Sequence, residues 1–261
     1  MSDIGNYIDR LNNKNRKALS VFLTAGFPSR NGFTNIVRGI LEAGADMIEL
    51  GIPFSDPLAD GPVIQTSSKT ALDNGVNIDY VFNQASELNK FTSKPIILMG
   101  YANPILKYGL NNFFKRASDC GVSGLIIPDV PLEEYDFFFE KQQAEIDIIL
   151  LTTPTSSDER IKAIDLKSKG FVYCVSIVGT TGVKNNFGNE TINNLKRTYS
   201  LMTKNKMMIG FGISKPEDIR NFSPYCDGVI VGSRITKSLL DNDGLDKTLE
   251  IVSKLSGACN Y

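Results

Sequence analysis

Two carboxylates, Glu49 and Asp60, stand eleven residues apart in the run Met47-Ile-Glu-Leu-Gly-Ile-Pro-Phe-Ser-Asp-Pro-Leu-Ala-Asp-Gly-Pro62. Glu49 lies one residue from the end of an apolar stretch, where desolvation disfavours its charged form and lifts its pKa toward neutrality. A carboxyl so placed can pass protons near pH 7. A second carboxylate at the same pocket mouth can hold a hydrogen-bond donor or a developing positive charge. By position alone, Glu49 is equally an ion-paired or rim residue, and Asp60 before Gly-Pro reads first as a helix cap, gaining a chemical role only beside Glu49. Tyr173, inside the apolar run Phe171–Ser176, is either a substrate hydrogen-bond partner or a core tyrosine. The chain has no histidine, which excludes Ser–His–Asp triads, Cys–His pairs and His-bearing zinc sites. The four cysteines, Cys120, Cys174, Cys226 and Cys259, form no Cys-x-x-Cys. They read as small buried hydrophobes, and neither a disulfide nor a metal site is expected.

A further pattern suits an anion. Gly210-Phe-Gly-Ile-Ser-Lys-Pro-Glu217 and Val231-Gly-Ser-Arg-Ile235 both follow apolar runs with small residues. Gly212, Gly232 and Ser233 there would let backbone N–H groups approach a phosphate at a helix N-terminus. The segment Ser176-Ile-Val-Gly-Thr-Thr-Gly-Val183 has the composition of a mobile lid. The substrate these residues describe is a phosphate ester.

Such residues need strands to carry them. Eight apolar runs of four to six residues recur along the chain: Leu19–Thr24, Met47–Leu50, Pro95–Met99, Gly124–Ile127, Ile146–Leu151, Phe171–Ser176, Met207–Gly210 and Gly228–Val231. They do not alternate cleanly, as expected of strands covered on both faces. Between them lie segments of helical spacing. Phe33, Ile36, Val37, Ile40 and Leu41 share one face, and similar faces occur in 62–74, 131–144, 157–168 and 234–255. Ser156-x-x-Glu159 and Ser214-x-x-Glu217 read as capping boxes, and Gly44, Gly121 and Gly170 as helix-ending glycines. Glu-Ala-Gly-Ala-Asp (42–46), Asp-Cys-Gly-Val-Ser (119–123) and Tyr-Cys-Asp-Gly (225–228) look like copies of one helix-to-strand junction.

Eight βα units predict an α/β fold, a (β/α)₈ TIM barrel forming a single domain over 1–261. The stretch Ile4–Leu11 is expected to add a helix that plugs its N-terminal end. A doubly wound open sheet is the alternative. Gly-x-Gly-x-x-Gly and Walker A loops are absent, which weakens nucleotide-binding readings. With 28 Lys+Arg against 29 Asp+Glu, the composition carries no electrostatic footprint for nucleic acid or an anionic membrane. No apolar run approaches the ~20 residues of a membrane span, and the first residues lack a signal-peptide pattern. The expectation is a soluble cytoplasmic protein.

The run Glu49–Pro62 closely resembles the signature of the tryptophan synthase alpha subunit family, and the resemblance extends over about residues 15–250. Thr24-Ala-Gly-Phe-Pro, Pro128-Asp-Val-Pro-Leu-Glu-Glu134, Gly179-Thr-Thr-Gly182, Gly210-Phe-Gly-Ile-Ser214 and Val231-Gly-Ser233 support it. The resemblance implies a lyase that cleaves indole-3-glycerol phosphate to indole and glyceraldehyde 3-phosphate by a retro-aldol reaction. It places the acid/base carboxylate at Glu49, the second carboxylate at Asp60 and an active-site tyrosine at Tyr173. It places Phe22, Ile64 and Phe211 around the indole, and Gly182, Gly212, Gly232 and Ser233 around the phosphate. Thr181 would meet Asp60 when the lid closes. It also implies a beta subunit partner in an αββα heterotetramer, with pyridoxal phosphate only in that partner and no cofactor in this chain. The interface would include 53–60, 102–108 and Pro128–Pro131. Ile177 after Ser176, Thr180 in the lid and Arg234 beside the phosphate positions depart from the family pattern. Arg234 either adds a charge to the phosphate or points to solvent. Other phosphate-binding barrels tend to place a Lys, Cys or metal-binding His at strand ends, and no Lys ends the runs 47–50, 95–99 or 171–176.

Overall fold

Strand β1 (Ala18–Thr24) alternates its residues between two buried environments. Leu19, Val21 and Leu23 join a large apolar cluster with helix residues such as Val37, Ile40 and Phe82. Ala18 joins a second cluster with Met47, Ile97, Ile126, Ile149, Phe171, Tyr173, Met208 and Ile230. This second set comes from the other strands and fills the inside of a barrel, because successive strand side chains point to opposite faces. The runs are continuously apolar for this reason. The computed structural model describes residues 3–140, 142, 145–176, 188–210, 212–241 and 244–261.

The helix α1 (Asp3–Asn12) precedes β1, and α2 (Phe33–Glu42) leads to β2 (Met47–Gly51). Then come α3 (Pro62–Asp73), α4 (Ile78–Asn89), β3 (Ile96–Met99), α5 (Ala102–Tyr108), α6 (Leu110–Asp119) and β4 (Gly124–Ile126). Two short strands, β5 (Asp147–Ile149) and β6 (Leu151–Thr152), precede α7 (Asp158–Lys167), β7 (Phe171–Val175) and α8 (Asn189–Ser200). The chain closes with β8 (Lys206–Gly210), α9 (Pro216–Phe222), β9 (Gly228–Val231), α10 (Ser233–Leu240) and α11 (Leu245–Ala258).

The nine strands among the described residues pair in parallel, in the order β5-β4-β3-β2-β1-β9-β8-β7-β6. Only Leu150 separates β5 from β6, so the two ends of that order are one stave in two pieces. The expected run Ile146–Leu151 is broken because β5 follows β4 while β6 follows β7. Eight staves result, and the barrel is nearly closed.

Helix α1 buries Ile4 and Ile8 completely in the interior cluster, at its lower end. A Cβ on Gly124 or Gly170 would press on Ile4, so those glycines make room for the plug. Gly44, Gly121 and Gly170 all have positive φ. Gly44 and Gly121 directly follow the caps of α2 and α6 as expected, whereas α7 already ends at Ser168 in extended conformation and Gly170 turns the chain into β7. Other local expectations need correction. The cap of α7 is Ser157, which accepts the Arg160 N–H, because Ser156 is already bonded to the Thr153 N–H. At α9, Pro216 occupies the first turn and Asp218 takes the role expected of Glu217. Its Oδ2 accepts the N–H groups of Ser214 and Lys215. The segment 131–144 is a 3₁₀ turn (Leu132–Glu134) and a π-helical turn (Asp136–Glu140), with no α-helix in its described residues. The neighbours Phe138 and Phe139 are both buried there, an arrangement the wider π turn accommodates. The segment 234–255 is two helices, split before Gly244, whose φ is +84°.

Candidate active site

Glu49 points into the barrel from β2 and is 0 % exposed. Its register partner on β1 is Phe22 and on β3 is Ile97. The Ser20 hydroxyl donates to its Oε1 at 2.8 Å. Oε2 is buried and has no hydrogen-bond partner among the described residues. Burial pushes the carboxyl pKa up to about 7, against the opposing pull of the Ser20 bond. A group so poised is half acid and half base near neutrality.

Asp60 sits in the loop between β2 and α3, half-buried. Tyr101, at the C-terminal end of β3, donates from its hydroxyl to Asp60 Oδ2 at 3.0 Å. The same hydroxyl accepts the Ala59 N–H at 3.1 Å. Desolvation raises Asp60 to about 6, and the Tyr101 bond opposes it. Tyr173 is 5 % exposed on β7. Burial and then the facing charges of Glu49 and Asp60 hold its hydroxyl protonated far above its ordinary range. The two carboxylates and the tyrosine therefore share one neighbourhood at the upper end of the barrel.

A narrow cleft opens beside them, lined by Phe22, Thr24, Gly51, Ile52, Asp60, Ile64, Ser68, Met99, Gly100 and Tyr101. Its width depends on glycine. A Cβ at Gly51 would overlap the Phe22 ring, and one at Gly232 would lie 3.2 Å from Phe22 atoms. Phe22 thus spans from the cleft to the start of α10. There Gly232 is the N-cap and Ser233 the first helical residue. The Gly232 carbonyl accepts the Ile235 and Thr236 N–H groups, and the N–H groups ahead of them stand at the end of a helix where intrahelical acceptors run out. Gly212, at φ +81°, is exposed beyond β8. Arg234 is half-buried. Thr181, Gly182 and Phe211, with the lid departures Ile177 and Thr180, lie outside the described residues.

Comparison with known proteins follows the same outline. The family model described as tryptophan synthase alpha chain matches residues 8–259. The chain belongs to the tryptophan synthase alpha chain family. A relative of that name from Flavobacterium psychrophilum is 41% identical over 95% of this chain and 100% of its own length. One from Petrotoga mobilis is 43% identical over 90% of each. Among solved structures, Mycobacterium tuberculosis tryptophan synthase superposes with a TM-score of 0.91 at 29% identity, covering 100% of this chain and 99% of that one. The alpha subunit from Legionella pneumophila gives 0.88 at 33% identity, covering 99% and 98%.

Of the residues singled out in the sequence, Phe22, Asp60 and Ile64 line the cleft, and Tyr173 faces both Glu49 and Asp60. Sequence reasoning missed Ser20, Tyr101, Thr24 and Ser68. Ser20 carried a signal, as a hydroxyl inside an otherwise apolar strand; Tyr101 carried one too, at a strand's C-terminal end. The loops expected at an interface also converge. Phe54, Asp56, Leu58, Ala59, Tyr101, Asn103 and Asp129 line a second, outer cleft, with Leu58 87 % exposed. No group of His, Cys, Asp or Glu among the described residues is arranged to hold a metal, and no described helix is long and apolar enough to cross a membrane.

Proposed function

We propose that this chain, acting as one barrel domain in the cytoplasm, is a lyase of tryptophan biosynthesis that cleaves indole-3-glycerol phosphate to indole and glyceraldehyde 3-phosphate. Membership of the family supports the reaction. The single observation that carries the chemistry is Glu49: a fully buried carboxyl, poised near neutrality, with one oxygen left without a protein partner among the described residues.

In this reading Glu49 gives its proton to indole C3 and, as the carboxylate, takes the proton of the glycerol C3′ hydroxyl. The C3–C3′ bond then breaks, its electrons return to the indole ring, and the hydroxyl carbon becomes the aldehyde. Asp60 accepts the indole N–H and stabilises the positive ring between these events. Tyr173 stays neutral and serves as a hydrogen-bond donor. Phe22 and Ile64, with Phe211, cover the indole faces. Gly212, Gly232 and Ser233, with Gly182, hold the phosphate through backbone N–H groups and the helix N-terminus, and Thr181 meets Asp60 on closure. Carboxylates suffice for a retro-aldol whose electron sink is protonated indole, so no cofactor is assigned to this chain.

The outer cleft around Leu58 is the surface we assign to a beta subunit, in an αββα assembly that receives the indole and carries pyridoxal phosphate on the partner alone. The test is indole release from indole-3-glycerol phosphate by the purified chain in EDTA, with and without a beta subunit. Release that rises strongly with the partner supports both lyase and coupling, and rapid release alone points to a free-standing enzyme. Glu49→Gln should lower kcat at least ~10²-fold with the fold intact; near-native turnover in that variant removes Glu49 from the chemistry.

A further inference from the structure

Ser20 is 0 % exposed inside the barrel. Its β1 neighbours on the inward face are Ala18 and Phe22, and its register partners are Met47 on β2 and Ile230 on β9. A hydroxyl in these apolar surroundings costs free energy that alanine or valine would not. Its compensation is the bond to Glu49 Oε1 at 2.8 Å. That bond removes the symmetry of the carboxyl. Oε1 is occupied by a donated hydrogen, while Oε2 has no partner among the described residues.

We propose that Ser20 is a positioning residue for the lyase reaction, fixing the Glu49 carboxyl so that Oε2 is the oxygen that carries and returns the reacting proton. A proton on Glu49 settles on Oε2 because Oε1 already receives the Ser20 hydrogen. The same bond holds the carboxyl in one orientation, which is what a transfer between two substrate atoms requires. The titratable group that faces Glu49 is Tyr173 from β7, which also faces Asp60 from the loop after β2, whereas the side-chain bond that shifts Glu49 itself comes from Ser20. The β3 partner Ile97 and the interior residues Met208 of β8 and Ile230 of β9 are not ionisable. The effect on the carboxyl therefore has one source on β1.

The inference rests on Glu49 being the acid/base group, and the experiment separates the two. Ser20→Ala, Ser20→Cys and Ser20→Thr are compared with the parent chain in two ways. The Glu49 carboxyl is titrated in the ligand-free chain by infrared difference spectroscopy, with Glu49→Gln identifying its band, and kcat and KM for indole release are measured across pH. In Ser20→Ala the titration should move up by about one pH unit, because a donor to the ionised form is lost. Plateau kcat should fall on the order of tenfold with KM within twofold. Ser20→Cys keeps the volume with a weak donor and should behave similarly, so the test survives poor folding of the alanine variant. Ser20→Thr restores the hydroxyl and should restore both readouts. A titration and kcat unmoved in folded Ser20→Ala or Ser20→Cys overturn the inference, even with stability lowered. Near-native turnover in Glu49→Gln would instead sink the reaction assignment, while the spectroscopic titration would still test the Ser20–Glu49 link.

Discussion

At the scale of single residues, the site works by burying acids and rationing their hydrogen bonds. Glu49 and Asp60 both sit above their ordinary pKa values, to about 7 and about 6, because desolvation outweighs one donated hydroxyl each. Tyr101→Phe removes the donor to Asp60 and leaves the Ala59 N–H without that acceptor. The lost bond favoured the ionised form, so the Asp60 pKa should rise further. At pH 8 the carboxyl stays ionised. At pH 6 it becomes mostly neutral. The kcat of Tyr101→Phe should therefore drop several-fold more at pH 6 than at pH 8, as read from pH–rate profiles beside the parent. An equal drop at both pH values would mean that Asp60 is held in its charge state by something else. Glu49 stood out in the sequence because a charge at the end of an apolar run is conspicuous, and Asp60 stood out only as a second carboxylate in the same run up to Pro62. Tyr101 offered only its place just past a strand's C-terminal end, too weak a signal by itself, since a tyrosine beside a strand is as ordinary in a core as in a site.

At the scale of elements, the strand ends matter more than the helices. Tyr173 fits inside the barrel because Gly210 on the adjacent strand β8 has no side chain there; a Cβ at that position would run into the phenol. Gly210→Ala should destabilise the chain by about 1–3 kcal/mol and also raise KM as the tyrosine ring is pushed aside. Urea unfolding and indole-release kinetics would show this, and unchanged values for both would mean the ring has slack. The repeated junctions have an equally local cause. Asp46 and Asp227 precede β2 and β9 in the same way, the first accepting the Leu19 N–H and the second the Met207 N–H. Each thus ties the foot of its own strand to the foot of the neighbouring one. Their likeness was visible as a recurring sequence pattern. The shifted caps at α7 and α9 were not, because two adjacent candidates compete and the loop before each helix decides between them.

For the whole molecule, stability and chemistry pull against each other through the same two acids. Each has a folded pKa raised above its ordinary value of 4.5 or 3.8. The folded chain consequently holds protons that the unfolded chain has released, and stability falls as pH rises between about 4 and about 7. Replacing Glu49 by Gln removes its share. The stability of Glu49→Gln minus that of the parent should grow by roughly 3 kcal/mol between pH 4.5 and pH 8, as measured by chemical denaturation at each pH. A difference independent of pH would show that Glu49 is solvated in the folded chain. Alternation of apolar runs with amphipathic segments was enough to specify the staves, the barrel class and the N-terminal plug, since burial on both faces leaves an unbroken apolar signature in sequence. The signature Glu49–Pro62 was enough to point to the family. The tertiary structure alone decided that Ser20 and Tyr101 each serve one carboxylate, that Gly51 and Gly232 make room for Phe22, and that β5 and β6 form one broken stave. These depend on distances between residues remote in the chain, set when the barrel closes and strands align side by side, and no local pattern of residue types encodes such a distance.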